Sequence, residues 1–394
     1  MRKILALEEG PGFGGALISL KYLLESADED NFFYLISNYQ QQYIQPHNNI
    51  KDVTVITRKR IYGKNSPLEK ILRVIVGRKA GPAAYILDRV TYCNQYVNHL
   101  VKYINKNKID IVHLNNWPLL NDGGLFAAKK AGVPVVMHIR GMEYSSRLIG
   151  WLVNQADHVI AISDYIKNLI CQLGIEANKI SVIPNAVDVD NFVRSAKESN
   201  PFRDEIGIDH KCKLIGMAGC LVDWKGHKIF LSACADVFKE TPAHGLVIGD
   251  TPNGAPAYKI ELQNYAKTLG ISDRIHFVGH RRDIASAMDA CDVMVHASTA
   301  PEPFGRVIIE AMALGKPVVA TAPGGPQEII QDQVDGLLVP PSDPIAISKA
   351  IARYLYDNNF RREIERRAKE KVLERYNVQK YVDKVTSVYE KILS

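Results

Sequence analysis

Short hydrophobic runs alternate with helix-length segments along this chain, the pattern of parallel-sheet α/β architecture. In the first half the runs predict strands at Lys3–Leu7, Phe32–Ser37, Val53–Thr57, Ile109–Leu114, Pro134–Ile139, His158–Ile162 and Ile180–Pro184. Around residue 185 the pattern lapses. Asn185–Lys211 is polar and turn-rich without sustained periodicity, as an interdomain linker would be. A second series follows at Leu214–Ala218, Gly245–Ile248, Ile275–Val278, Val293–His296 and Pro317–Thr321. Helices then fill the C-terminus. In the last, Val378–Leu393, the residues Tyr381, Val382, Val385, Val388, Tyr389 and Ile392 form one amphipathic stripe.

This order predicts two doubly wound domains, residues 1–190 and 191–377, each offering the carboxyl ends of its strands to a cleft. A length of 394 residues accommodates both, and 46% hydrophobic with 23% charged residues is an ordinary globular composition. The opening MRKILALEE has too few apolar residues for a signal peptide, and no run approaches the ~18 of a membrane span. The six cysteines are scattered without a C-x-x-C pair, and the one H-x-x-x-H spacing among the eleven histidines, His276 and His280, falls on a strand run and the loop after it, not on a helix. A reducing cytoplasmic location and no protein-held metal are therefore expected.

The densest chemistry lies in PEPFGRVIIEAMALGKPVVATAPGGPQE, residues 301–328. Glu302 sits in a loop, because Pro301 and Pro303 both disfavour helix. Glu310 sits in a helix that opens near Phe304 or Gly305 and stops at Gly315. At a rise of about 1.5 Å per residue, it lies roughly 8–9 Å down the axis from that opening. The N–H groups of Gly305, Arg306 and Val307 would make an anion site at the helix start. A phosphate-bearing ligand there would have a hydroxyl-accepting carboxylate on either side, the layout of a sugar nucleotide. The plain alternative is that two glutamates near a helix start are dipole partners only.

After the first strand, Gly10-Pro11-Gly12-Phe13-Gly14-Gly15 formally matches the dinucleotide fingerprint. That reading demands a carboxylate closing the second strand, but FFYLIS ends at Ser37-Asn38, and Asp28, Glu29 and Asp30 precede the strand. The loop is read instead as a strand-to-helix turn, or as a place where Gly14 and Gly15 admit close backbone approach to a diphosphate or acceptor.

The block EPFGRVIIEAMALGKPVVAT closely resembles the signature of retaining glycosyltransferases of family four, which have the GT-B fold. The resemblance extends over most of the chain and implies two Rossmann-like domains, with the donor nucleotide on the second and the acceptor on the first. It also implies that the final helix (378–394) packs back on the first domain. The stretch Gly219-Cys220-Leu221-Val222-Asp223-Trp224-Lys225-Gly226 resembles the family's phosphate loop. Lys225 fits that pattern, whereas Cys220 stands where the family has an arginine, so Arg281, Arg282 or Arg306 is needed as a substitute charge. The resemblance further points to His138 for the donor sugar or acceptor, to Gly279, His280 and Arg281 for the base, and to Gly324-Gly325-Pro326 near the donor sugar. Paired glycines at Gly14 and Gly15 also fit it. His113 reads as a buried sheet residue, and Asn185 as domain-junction geometry.

The implied roles are then specific. Lys225 and the amides at Gly305–Val307 stabilise the leaving diphosphate, Glu310 holds the ribose hydroxyls, and Glu302 orients the transferred sugar. No metal or other cofactor is expected. Between Thr54 and Val90, nine basic residues face two acidic ones, and Ser66-Pro67-Leu68-Glu69 opens an amphipathic helix. Residues 58–79 could thus lie on an anionic membrane surface, in keeping with a glycan or lipid-linked acceptor in polysaccharide or lipopolysaccharide synthesis; a surface helix packed on its own domain is the alternative. Nucleic-acid binding is not expected, since no reader motif is present. The rival readings are an inactive member that binds a glycan or partner, prompted by Cys220, and a sugar-nucleotide epimerase or phosphorylase.

Overall fold

The computed structural model describes residues 1–9, 14–37, 44, 49–55, 74, 87, 93–141, 146–198, 202–252 and 256–394. Among these residues two all-parallel sheets form. The first has the order β3-β2-β1-β4-β5-β6-β7. Its strands are β1 (Arg2–Glu8), β2 (Asn31–Ser37), β3 (Ile50–Val55), β4 (Ile111–Asn115), β5 (Val135–Ile139), β6 (His158–Ala161) and β7 (Ile180–Val182). The second has the order β10-β9-β8-β11-β12-β13. It comprises β8 (Lys213–Ala218), β9 (Ala243–Ile248), β10 (Ile275–Gly279), β11 (Val293–His296), β12 (Val318–Thr321) and β13 (Leu337–Val339). In each sheet the strand order reverses once, between β1 and β4 and between β8 and β11, the place where doubly wound sheets bind ligands.

Helices cover both faces, so the central strands are apolar on both sides: Ile4, Leu5, Ala6 and Leu7 of β1 are all fully buried. The chain forms two compact units. One comprises Met1–Ile162, Ile166–Ile183 and Val382–Ser394, and the other Ser163–Tyr165 and Pro184–Tyr381. The last helix spans Val378–Leu393, and most of it belongs to the first unit. There Tyr389 is fully buried and its hydroxyl bonds Nδ1 of His113 at 2.7 Å.

Three readings of the pattern need correction. The expected linker Asn185–Lys211 contains the helices Val189–Glu198 and Phe202–Glu205. Val189, Phe192, Val193 and Ala196 carry a one-face helical spacing that the surrounding polar residues obscure. Strand β13 is not among the expected strands: its apolar run is Leu337–Val339 alone, closed at once by Pro340-Pro341. Strand β3 starts earlier than the Val53–Thr57 run suggests, at Ile50, and Ile56 and Thr57 lie outside the described residues. The basic stretch 58–79, apart from Val74, and the glycines of 10–12 lie outside the described residues.

Candidate functional site

In the second unit the carboxyl edge of the sheet gathers the residues expected from the 301–328 motif. Glu302 is buried, and one of its oxygens, Oε2, takes every hydrogen bond the carboxylate makes among the described residues. Lys225 Nζ donates to it at 2.5 Å, Ser298 Oγ at 3.1 Å, and His296 Nε2 lies 3.1 Å away. Burial alone would raise the Glu302 carboxyl, but the adjacent Lys225 ammonium and His296 overcome this and hold it well below the usual range. Glu302 is therefore an ionised carboxylate with Oε1 left open to a ligand hydroxyl. Lys225 also lies over the Trp224 ring, 4.3 Å from its centroid.

The backbone around this pair permits no side chains. Gly226 has φ 78°, and a Cβ there would stand 1.9 Å from the Ala297 carbonyl oxygen. Only glycine brings the Lys225 loop this close to the end of β11. Gly325 N donates to Glu302 O at 2.8 Å, and a Cβ on Gly324 would sit 2.4 Å from that same oxygen. Gly324-Gly325 thus fixes Glu302 in place.

The motif helix runs Arg306–Ala313 with Gly305 as N-cap at φ 98°. The first amide the helix uses is that of Ile308, bonded to Gly305 O at 2.9 Å, so those of Gly305, Arg306 and Val307 have no intrahelical role. Glu310 is buried one turn in, and its Oε1 accepts from Arg306 Nη2 at 2.7 Å. Arg306 Nη1 reaches Ala186 O at 3.1 Å.

Of the arginines considered as substitutes at Cys220, two are therefore spent inside the protein. Arg306 is held by Glu310 and Ala186, and Arg281 by Glu205 and Asp283 at 2.5–2.9 Å. Arg282 is exposed. The Arg281 side chain, expected at the base, is paired with two carboxylates, which suit a planar guanidinium. Gly279 (φ 69°), Gly249 (φ 140°) and Gly219 (φ 157°) end three neighbouring strands, with Gly249 N bonded to Gly279 O and Gly219 N to Ile248 O. His280 is exposed beside them. Cys220 is exposed as well, its Sγ 3.4 Å from Asp250 O, and burial around it pushes the thiol up. That is the opposite of an activated nucleophile.

In the first unit, Gly14 caps the helix Gly15–Ser26. His138 lies in β5, fully buried, and burial with Arg140 and His113 nearby holds its imidazole well below its ordinary value. His113 is one row back in β4 and is pushed down to about 3 by the same burial. Around them lie residues that sequence reasoning missed: Glu8, Asn115, Asn116 and Arg140. Asn115 Nδ2 and Asn116 Nδ2 donate to the two Glu8 oxygens, the latter at 3.1 Å, and Arg140 Nε donates to Asn115 Oδ1 at 2.9 Å.

Two doubly wound parallel units with this second-unit edge define a protein of the GT-B fold. The chain belongs to the glycosyltransferases of the family-four type. The model described as Glycosyltransferase Family 4 matches residues 49–191, and that described as Glycosyl transferases group 1 matches residues 198–371. A D-inositol 3-phosphate glycosyltransferase of Xylanimonas cellulosilytica is 30% identical over 64% of this chain, a match spanning just 65% of that relative's length. The UDP-Gal:alpha-D-GlcNAc-diphosphoundecaprenol alpha-1,3-galactosyltransferase of Escherichia coli is 25% identical over 74% of this chain and 77% of its own. Among solved structures, Anabaena Alr3699/HepE in complex with UDP and glucose superposes with TM-score 0.80 at 25% identity, covering 99% of this chain and 100% of that one.

Proposed function

We propose that this protein is a retaining glycosyltransferase that moves a sugar from a nucleoside-diphosphate sugar to a hydroxyl acceptor in cell-surface glycan or glycolipid synthesis. The observation that carries the reading is the ionised Glu302, held by Lys225 at 2.5 Å beside a glycine-capped helix start. The second unit holds the donor. Its diphosphate lies at the amides of Gly305–Val307 with Lys225, which offsets the charge building on the leaving group. Open Oε1 of Glu302 takes a hydroxyl of the transferred sugar, and the Glu310 oxygen not used by Arg306 takes the ribose. Gly279, Gly249 and Gly219 give the base a bare backbone to approach, with His280 alongside. The acceptor binds the first unit near His138 and the Gly14-Gly15 turn. Retention follows from attack on the face the diphosphate leaves, with a donor phosphate oxygen taking the acceptor proton. The solved neighbour bound to UDP and glucose favours a UDP-sugar donor.

The helix start and Lys225 supply the positive charge that a metal supplies elsewhere, so activity should survive EDTA. Among the described residues no helix is long and apolar enough to cross a membrane. The basic stretch 58–79 is the part we propose to contact the membrane, at its cytoplasmic face.

Calorimetry with UDP, GDP and ADP sugars tests the donor class. Glu310→Gln is the cleaner site variant, because Glu310→Ala would also strip Arg306 of a buried partner. It should weaken UDP by about tenfold, the loss of one charge-assisted hydrogen bond, with the melting temperature held to within a few degrees. Unchanged UDP affinity removes Glu310 from the ribose.

A further inference from the structure

Three donors crowd one oxygen of Glu302 and leave the other bare. The last torsion of a glutamate is soft, so its two oxygens exchange places unless neighbours hold one of them. Oε2 takes Lys225 Nζ, Ser298 Oγ and His296 Nε2, whereas Oε1 takes no hydrogen bond among the described residues. Lys225 cannot supply this asymmetry, because a flexible ammonium follows whichever oxygen is nearer.

His296 and Ser298 can supply it. His296 closes β11 and Ser298 follows two residues on, and both are buried on short, packed stems. The hydroxyl of Thr321, at the end of β12, donates to Ser298 O at 2.7 Å and fixes the backbone there. Two adjacent strand ends thus bring both side chains to the same atom.

The proton on His296 is placed by elimination. Nε2 lies 3.1 Å from Glu302 Oε2 and 3.2 Å from Ser298 Oγ, while Nδ1 is buried with no hydrogen-bond partner. With the proton on Nδ1 alone, a buried donor would go unpaired. The lone pairs of Nε2 and of an ionised carboxylate would also face each other at 3.1 Å. With the proton on Nε2, the ring donates to Oε2 and the Ser298 hydroxyl is free to donate to the same oxygen. His296 therefore carries a proton on Nε2.

We propose that His296 is a positioning residue for the donor site: its Nε2–H, with Ser298 Oγ, pins Oε2 of Glu302, so that Oε1 alone is presented to a hydroxyl of the transferred sugar. His296 acts through the carboxylate and touches no ligand itself. The proposal rests on the reading that Glu302 meets that sugar, and adds what fixes the meeting in place.

The test uses the full chain and calorimetry with UDP and UDP-glucose. His296→Phe keeps a flat ring and removes the donor. It should weaken UDP-glucose about tenfold while changing the UDP Kd by less than about twofold. His296→Gln carries a side-chain N–H to the neighbourhood of Nε2 and should return UDP-glucose to within about threefold of the parent. Ser298→Ala removes the second pin without touching the ring and should cost UDP-glucose about threefold, which keeps the test open if the Phe variant fails to fold. Burial raises the Glu302 carboxyl, while Lys225 and the His296 hydrogen bond lower it. The acid limb of UDP-glucose affinity should therefore begin at higher pH in His296→Phe than in the parent or in His296→Gln. In protein made with isotope-labelled histidine, the imidazole signals lost in His296→Gln should show a protonated Nε2.

Equal losses for UDP and UDP-glucose, a folded His296→Phe chain that binds UDP-glucose as the parent does, a His296→Gln chain no better than His296→Phe, or a bare Nε2 in the NMR pattern would overturn the proposal. Should the parent fail to bind UDP-glucose, the donor reading falls, and the labelled imidazole alone decides whether His296 holds Glu302.

Discussion

The two sheets finish their carboxyl edges in opposite ways. The second ends in backbone: Gly219, Gly249 and Gly279 close three adjacent strands at positive φ, and its charges are held in pairs such as Lys225–Glu302 and Arg306–Glu310. The first ends in side chains, with polarity spread across the register row from Ser37 to His138. Bare amides and a helix start are built to meet an anionic group, whereas carboxylate, amide and imidazole side chains offer both donors and acceptors at fixed places.

The comparison is broken most easily at Lys225. Lys225→Met should cut sugar transfer by about 10²–10³-fold and lower the melting temperature, since it strands Glu302 without its cation. Adding Glu302→Gln should restore much of the stability and none of the activity. A single variant within tenfold of the parent rate would take Lys225 out of the mechanism. Gly226→Ala comes next, because a Cβ 1.9 Å from the Ala297 carbonyl forces the loop away and adds positive-φ strain. A loss of about 3 kcal/mol or more is expected, read as a drop of several degrees in Tm. An undisturbed Tm would mean that the loop is not anchored there.

Acidification sharpens the comparison from both sides. Burial, with Lys225 close by, pushes His227 down to about 4. The unfolded chain therefore takes up a proton below its ordinary value near 6.5 that the folded chain refuses. Stability is full above that value and falls as pH drops from there to about 4, by about 1.4 kcal/mol per pH unit for each such imidazole. His227→Leu should flatten denaturant midpoints measured across that window, leaving the slope contributed by His113 and His138 of the first unit. An unchanged slope would show that His227 is protonated in the fold. The smallest effect belongs to Gly14→Ala. Its φ is −171° and no atom of the described residues lies within 4 Å of the added Cβ, so stability should stay within about 1 kcal/mol. Any rise in KM would then report a ligand at that turn, and an unchanged KM would leave Gly14 as a simple helix opening.

What could be read from the chain follows the range of each signal. Twelve of the thirteen strands have a hydrophobic run long enough to register, and the helix beginning at Gly305 is announced by Pro303, Gly305 and Gly315 in one continuous stretch. The chemistry of 301–328 was legible for the same reason. The polar row was not, because each strand contributes a single polar residue near its end. Glu8, Asn115 and His138 become neighbours only when the register is known. Local sequence offers only the near partners of these arginines, Asp283 two residues after Arg281 and Glu310 four after Arg306, while Glu205 lies 76 residues from Arg281 and Ala186 lies 120 from Arg306.

Tyr389 hydrogen-bonds His113, so the helix Val378–Leu393 helps to complete a core whose strands all lie within residues 2–182. On the ribosome the first sheet can assemble early, but its buried imidazole waits for a hydroxyl synthesised almost three hundred positions later. The closing step of folding is then long-range and slow relative to the local steps. A nascent chain stalled before that helix would carry an open seam along its first half, the surface a chaperone would need to shield.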